Sequence, residues 1–187
     1  MFVIMILLPV LFLFVANATK STSLPEYFKV PSFELIDQNN KKFLSKEMLG
    51  EIWMVNFFFT ECKSVCPMQI SKIKNFKNNH PQIKIKTISF TVDPNNDTVE
   101  KLSNYGKDLS INSEEWKLLT GPEETVRNVV VEGFKSGMDI IEERGIFDIA
   151  HANYILIVDK NGFVREIIGF DEKDFEEKII SIYKNLK

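Results

Sequence analysis

The two cysteines of this chain, Cys62 and Cys66, lie four residues apart in the segment TECKSVCP, and no other cysteine occurs in the 187 residues. Sulfurs at this spacing can converge on one point, which suits a disulfide, a redox-active dithiol or half of a soft-metal site. Strand-forming apolar residues precede the pair and Pro67 follows it. The chemistry of the protein is therefore expected at these two residues, with three roles open.

Two histidines are the other candidates for such a site. His151 lies in DIAHANYILIVD, directly before a strand-like segment, whereas His80 lies in the polar stretch NNHPQ. Polar residues followed by a proline predict a turn, so we interpret His80 as a surface residue. Taken alone, a histidine such as His151 is more often structural than a ligand, and its role depends on where the fold places it.

The composition predicts one globular domain with a substantial core. Hydrophobic residues make up 44% of the chain and include 16 Phe. Neither a disulfide nor a metal is therefore needed merely to keep it folded. A formal net charge of -3 at pH 7 gives no electrostatic basis for a nucleic-acid partner.

The start of the chain differs from the rest, because residues 2–15 are almost wholly apolar and run into the small-x-small pattern Ala16-Asn17-Ala18. We interpret residues 1–18 as a signal peptide or an uncleaved N-terminal membrane anchor, 19–30 as a linker and 31–187 as the folded domain. Either alternative exports the domain to the periplasm or cell envelope, and the anchor would hold it at the inner membrane. Outside the cytosol, a thiol pair oxidises unless it is kept reduced or metal-bound.

The order of the predicted elements is that of an α/β, thioredoxin-like fold, with a central mixed sheet flanked by helices and a CxxxC active-site turn. A buried central strand ends just before the cysteines and a helix begins at them, so the helix N-terminus favours their thiolate forms. The expected elements are a hairpin over 33–36 and 42–44, strands over 52–59, 83–92 and 116–119, helices following Cys66 and over 97–105 and 123–134, a long loop or irregular hairpin over 135–149, a hairpin over 153–158 and 163–168, and a helix over 173–186.

In such a fold the loop before the last hairpin approaches the active-site turn, so His151 can reach the two sulfurs. Two thiolates and one imidazole suit Cu(I), or Cu(II) with a further donor. Zinc would need a fourth ligand or a water, so ligand softness favours copper without excluding zinc.

Four segments occur in the order FFFTECKSVCP, SFTVDPNNDTVEKLSNYGKDL, WKLLTGPEETV and HANYILIVDKNGFV. Together they resemble the SCO/SenC family, thioredoxin-like copper proteins that help to assemble the copper centre of cytochrome c oxidase subunit II. The resemblance implies that Cys62 and Cys66 bind copper as thiolates and can also form a disulfide, and that His151 is the third ligand. It implies oxidase subunit II as partner, with other copper chaperones or thiol reductants as further candidates, and an N-terminal membrane tether.

Three functions follow from these residues. The first is a metallochaperone that passes copper to the oxidase subunit. The second is a thiol-disulfide oxidoreductase that reduces the cysteines of that subunit or of another exported partner, and the two activities can coexist. The third is a thioredoxin-like binding module in which Cys62 and Cys66 form a structural disulfide and His151 is incidental.

The segment DPNNDT holds two acidic residues whose roles differ in the sequence. Asp97 precedes Thr98 at the start of a helix, which predicts that Asp97 caps the helix, whereas the role of Asp93 stays open. Between the cysteines, Lys63-Ser64-Val65 stands where many relatives have Pro-Asp-x, and we predict that Lys63 faces water.

Overall fold

The computed structural model describes residues 24–63, 65–138, 140–143, 146–149 and 153–187, with the backbone alone for 140–143 and 146–149. The strands are β1 (Phe28–Lys29), β2 (Glu34–Asp37), β3 (Lys42–Leu44), β4 (Trp53–Phe58), β5 (Lys86–Thr91), β6 (Trp116–Thr120), β7 (Ile140–Glu143), β8 (Ile146–Ile149), β9 (Tyr154–Val158) and β10 (Phe163–Gly169). The helices are α1 (Val65–Asn79), α2 (Val99–Asp108), α3 (Glu123–Arg127) and α4 (Phe175–Leu186), with a 3-10 turn over Ser45–Met48 and a π-helical turn over Asn128–Gly133.

One large mixed sheet organises the chain, in the order β1-β10-β9-β4-β5-β6-β2-β3. Strands β4, β5 and β6 run parallel, and β9 pairs antiparallel with β4. Strand β4 lies between β9 and β5 with all six residues buried, as its continuous apolar sequence predicts. The predicted thioredoxin-like fold is confirmed.

Alternate residues of β4 point to opposite faces of the sheet, and each face is covered. Phe58 stacks on Tyr105 of α2, with 5.6 Å between ring centroids. Phe57 lies edge-on to Phe134, just after the π-helical turn, at 5.9 Å. The sheet is therefore the middle layer of the domain, and the end of β4 is held from both sides.

Helix α1 packs against the core through Ile70, Ile73 and Phe76, the residues whose spacing predicts this face. Its C-terminal end meets α4, where the Nε2 of His80 lies 2.8 Å from the Oε2 of Glu176. His80 follows the end of the helix, as predicted, but it is half-buried and hydrogen-bonded to Glu176 instead of simply exposed.

The structure refines two of the predicted segments. The helix predicted over 123–134 is present, but it is α-helical only to Arg127 and continues from Asn128 as the π-helical turn. The stretch over 135–149 contains the antiparallel pair β7–β8, so the irregular-hairpin alternative is the correct one.

The N-terminal part of the described chain is bound to the sheet. Strand β1 pairs with β10, and the guanidinium of Arg165 donates to the backbone oxygens of Leu24 and Pro25. The predicted signal or anchor segment lies outside the described residues. Among those that are described, no helix is long and apolar enough to cross a bilayer.

Candidate metal centre

Cys62 and Cys66 lie where β4 gives way to α1. The backbone N–H of Cys62 donates to the Phe59 oxygen at 3.2 Å, which turns the chain after the strand. Helix α1 begins at Val65, so Cys66 is its second residue and Pro67 lies in the first turn, where a missing N–H leaves no helical hydrogen bond unmade. The helix therefore starts at the cysteines, as predicted.

The two cysteines share a hydrogen bond at this helix start. The backbone N–H of Cys66 donates to the Sγ of Cys62 at 3.3 Å. Cys62 is 5% exposed and Cys66 is fully buried. An N–H donor and the positive end of a helix both favour a thiolate, and this geometry directs them to Cys62.

Two adjacent buried sulfurs suit a soft, low-coordinate metal such as Cu(I). Among the residues that the structure describes, no three His, Cys, Asp or Glu side chains gather into a metal site. His151, the predicted third ligand, lies outside them and stays a prediction, whereas His80 is engaged with Glu176 at the far end of α1. Lys63 is exposed, as predicted.

Asp97 does not cap helix α2, contrary to the prediction. The cap is Thr98, whose hydroxyl accepts from the Lys101 N–H at 3.3 Å. Asp97 is instead fully buried and accepts from the Thr60 N–H at 3.2 Å, the Thr60 hydroxyl at 2.5 Å and the Thr91 hydroxyl at 2.5 Å. Asp and Thr are both good capping residues, so the sequence does not distinguish Asp97 from Thr98, which lies one position nearer the helix.

Burial raises the pKa of the Asp97 carboxyl, the hydrogen bonds from Thr60 and Thr91 oppose that rise, and the charge of Asp93 adds to it. Asp93 itself is half-buried and accepts from the side-chain amide of Asn96 at 2.9 and 3.0 Å. Asp93 thus stabilises its own loop, while Asp97 bonds to Thr60 in the loop between β4 and Cys62.

Tyr105 of α2 is a further polar group beside the cysteines that the sequence did not single out. Burial raises the pKa of its phenol, and the charges of Cys66, Cys62 and Asp97 raise it further. The phenol consequently stays protonated and can donate a hydrogen bond. In the sequence, Tyr105 looks like an ordinary residue of an amphipathic helix, since only the packing of α2 over Phe58 brings it here.

The sheet order, the helix that begins at a dithiol and the covering helices define a thioredoxin-like thiol protein. Residues 22–186 match the model of the SCO1/SenC family, and the chain belongs to that family. It is 31% identical over 157 residues to the SCO2-like protein RP587 of Rickettsia prowazekii, covering 82% of this chain and 74% of the relative.

Solved structures of Sco proteins have the same fold. The copper-bound ScoI of Bradyrhizobium japonicum superposes with a TM-score of 0.71 at 21% identity, covering 86% of this chain and 100% of that one. BsSco, described as having a disulfide switch and as a member of the Sco family of cytochrome c oxidase assembly proteins, gives 0.72 at 24% identity, covering 85% and 92%.

Proposed function

We propose that this protein is an exported metallochaperone that holds copper through Cys62, Cys66 and His151 and passes it to the copper centre of cytochrome c oxidase subunit II. The observation that carries the proposal is the meeting of two buried sulfurs at a helix start, with the Cys66 N–H bonded to the Cys62 Sγ at 3.3 Å. Membership of the SCO1/SenC family and the copper bound in a structural neighbour support it.

Copper is the cargo of this function, so the site must bind it and also release it. Thiolate ligands suit Cu(I), and an imidazole from His151 would supply a third donor. Transfer proceeds by ligand exchange, in which donors of the acceptor replace those of the chaperone one after another. Cys62, the more exposed of the two cysteines, is the one that an acceptor meets first.

The proposal includes export, because the apolar run over 2–15 and the following Ala16-Asn17-Ala18 are typical of a signal peptide or membrane anchor. Residues 1–18 serve as signal peptide or membrane anchor, and the linker over 19–30 ends in β1, which is already part of the sheet of the copper-binding domain over 31–187. The domain then works in the periplasm or cell envelope, where its thiols must be kept reduced, either by a thiol reductant or by bound metal.

Thiol-disulfide exchange is a second candidate function, and the hydrogen bond to the Cys62 Sγ favours it. The Cys62 thiolate would attack a partner disulfide, forming a mixed disulfide and releasing one partner thiolate. Cys66 would then attack the Cys62 sulfur, which releases the second partner thiolate and leaves a Cys62–Cys66 disulfide. The partner gains two electrons and this protein loses two.

Copper titration of the reduced full chain tests the metallochaperone function. We expect one equivalent to bind with a Cu(II)–thiolate charge-transfer band, and Cys66→Ser to lose both the band and the redox couple. His151→Ala should weaken Cu(II) binding by more than about 100-fold, since loss of a ligand exceeds the roughly 10- to 100-fold effect of losing a supporting group, and leave the cysteine redox potential unchanged.

His80→Ala is the matched control, because it removes the other histidine at the far end of α1. Copper affinity should equal that of the wild type. Unchanged affinity in His151→Ala would contradict the ligand assignment, and stoichiometric loading of Cys66→Ser would contradict the paired-thiolate site.

A further inference from the structure

The short loop that presents Cys62, here called the cysteine loop (residues 59–63), is tied to the rest of the protein by Thr60. The Thr60 N–H and hydroxyl both donate to the carboxylate of Asp97, at 3.2 and 2.5 Å. Asp97 lies 37 positions further along the chain, just before α2. The position of the loop therefore depends on a distant acidic side chain.

Asp97 is in turn fixed to the sheet. The Thr91 hydroxyl, at the end of β5, donates to its second oxygen at 2.5 Å and accepts from the Asp93 N–H at 3.0 Å. The Val92 N–H donates to the Phe58 oxygen at 2.9 Å, which keeps the ends of β4 and β5 together. The carboxylate thus joins the cysteine loop, the end of β5 and the start of α2.

A carboxylate is chemically suited to this place, because all its neighbours donate. Both of its oxygens accept, and three donors from Thr60 and Thr91 converge on them. An asparagine would replace one oxygen by an NH2 group that faces those donors. Burying a carboxylate is unfavourable unless hydrogen bonds compensate, and helix capping, which Thr98 performs, does not account for it.

We propose that Asp97 is a positioning residue of the copper site, which holds Thr60 and so fixes the backbone that presents the Cys62 sulfur. The inference rests on the proposed function only where the test measures copper. Its structural content, a loop held in place by one buried carboxylate, is measurable in the metal-free protein.

Amide hydrogen exchange of the reduced, metal-free full chain tests directly whether Asp97 holds the cysteine loop in place. In Asp97→Asn, the Thr60 and Cys62 amides should exchange roughly 10- to 100-fold faster, the effect of losing a hydrogen bond to a charged group. The amide of Ile88, inside β5, reports unfolding of the whole domain and should accelerate by a smaller factor than the Thr60 and Cys62 amides. Copper should leave the variant roughly 10- to 100-fold faster, with a shifted charge-transfer band.

Two further variants keep the test decisive if Asp97→Asn folds poorly. Thr60→Val removes the hydroxyl and should move both readouts in the same direction, whereas Thr60→Ser retains it and should restore wild-type behaviour. The matched control is Lys101→Met, which breaks the exposed ion pair between Lys101 and Glu61 at 3.7 Å. That pair also joins the loop to α2, yet its loss should change neither readout, because exposed pairs contribute little.

The proposal is overturned if Asp97→Asn exchanges at Thr60 and Cys62 as the wild type does. It is also overturned if Ile88 accelerates by the same factor, since Asp97 would then only stabilise the whole fold. If the wild type itself binds no copper, the proposed function fails, and the exchange rates alone decide whether Asp97 positions the loop.

Discussion

The carboxyl group of Asp97 lies at a position that solvent does not reach. Its three hydrogen-bond donors favour the charged form, while burial and the neighbouring charge of Asp93 favour the neutral form, and the net effect raises the pKa. A residue that positions the cysteine loop is thus also a residue whose protonation is coupled to folding.

The wild type should gain stability through Asp97 on acidification. The folded state keeps a proton on this carboxyl over a pH range, above the ordinary value of 3.8, in which the unfolded chain has lost it. Unfolding releases that proton, so the contribution of Asp97 to stability falls as the pH rises through this range and is constant above the folded pKa.

Urea unfolding of the wild type and of Asp97→Asn at pH 4 and pH 7 checks this expectation. The asparagine does not titrate, so the advantage of the wild type should be larger at pH 4 than at pH 7. An advantage that is equal at the two pH values, or larger at pH 7, would contradict the raised pKa.

At the scale of single residues, the sequence shows which side chains can be reactive better than it shows which residues contact them. The spacing of Cys62 and Cys66 after a buried strand is a local pattern, and the structure places both at the predicted helix start. Asp97 and Tyr105 depend on contacts with residues more than 30 positions away. No local periodicity encodes such contacts, so the sequence predicts a capping role for Asp97 that the structure contradicts, and it does not indicate Tyr105.

At the scale of elements, the close approach between the π-helical turn and the N-terminal segment requires a residue without a side chain. A Cβ atom on Gly133 would lie 2.7 Å from the Cγ and 3.0 Å from the Cδ of Pro31. Both atoms belong to a rigid ring, which cannot rotate away. The turn therefore needs glycine for space.

Gly133→Ala should destabilise the protein by about 1–3 kcal/mol, the usual effect of overpacking. The matched control is Gly106→Ala in α2, where the added Cβ would meet only the Leu118 Cδ1 at an ordinary 3.5 Å. Alanine is the better helix former, so this control should be neutral or more stable by up to about 1 kcal/mol. Denaturant midpoints measure both, and equal destabilisation of the two variants would contradict the steric argument.

Elements are predictable from the sequence when their buried residues follow a regular pattern. Strand β4 buries every residue, and α1 buries residues at helical spacing. The π-helical turn was not, because Val129 and Val130 continue an apolar pattern that fits an α-helix equally well. The pairing of β1 with β10 was also hidden, since a two-residue strand has no period of its own.

At the scale of the whole molecule, an aromatic cluster joins the sheet to the segment that leads towards β7. Phe134 is 2% exposed and lies 5.0 Å from the ring of Phe90, 5.9 Å from Phe57 and 6.2 Å from Trp53. Aromatic pairs in these geometries stabilise beyond the area they bury. The cluster spans β4 and β5 on the face opposite Tyr105.

Phe134→Ala should lower the free energy of unfolding by about 3–5 kcal/mol, because it opens a cavity among rings that cannot close it. Leu49→Ala is the control, since Leu49 is 60% exposed and its truncation should change stability by less than about 0.5 kcal/mol. Thermal unfolding of both variants measures the difference. A loss below about 1 kcal/mol in Phe134→Ala would show that the cluster collapses to fill the space.

The two tryptophans also give the protein separate optical reporters for folding and for chemistry. Trp53 and Trp116 are the first residues of β4 and β6, and both are buried. The cysteines follow the opposite end of β4, and the strand alone separates Trp53 from Phe58 by roughly 17 Å. Indole emission can therefore follow the unfolding of the core, while thiolate absorption follows events at the sulfurs, in one sample and without an added label.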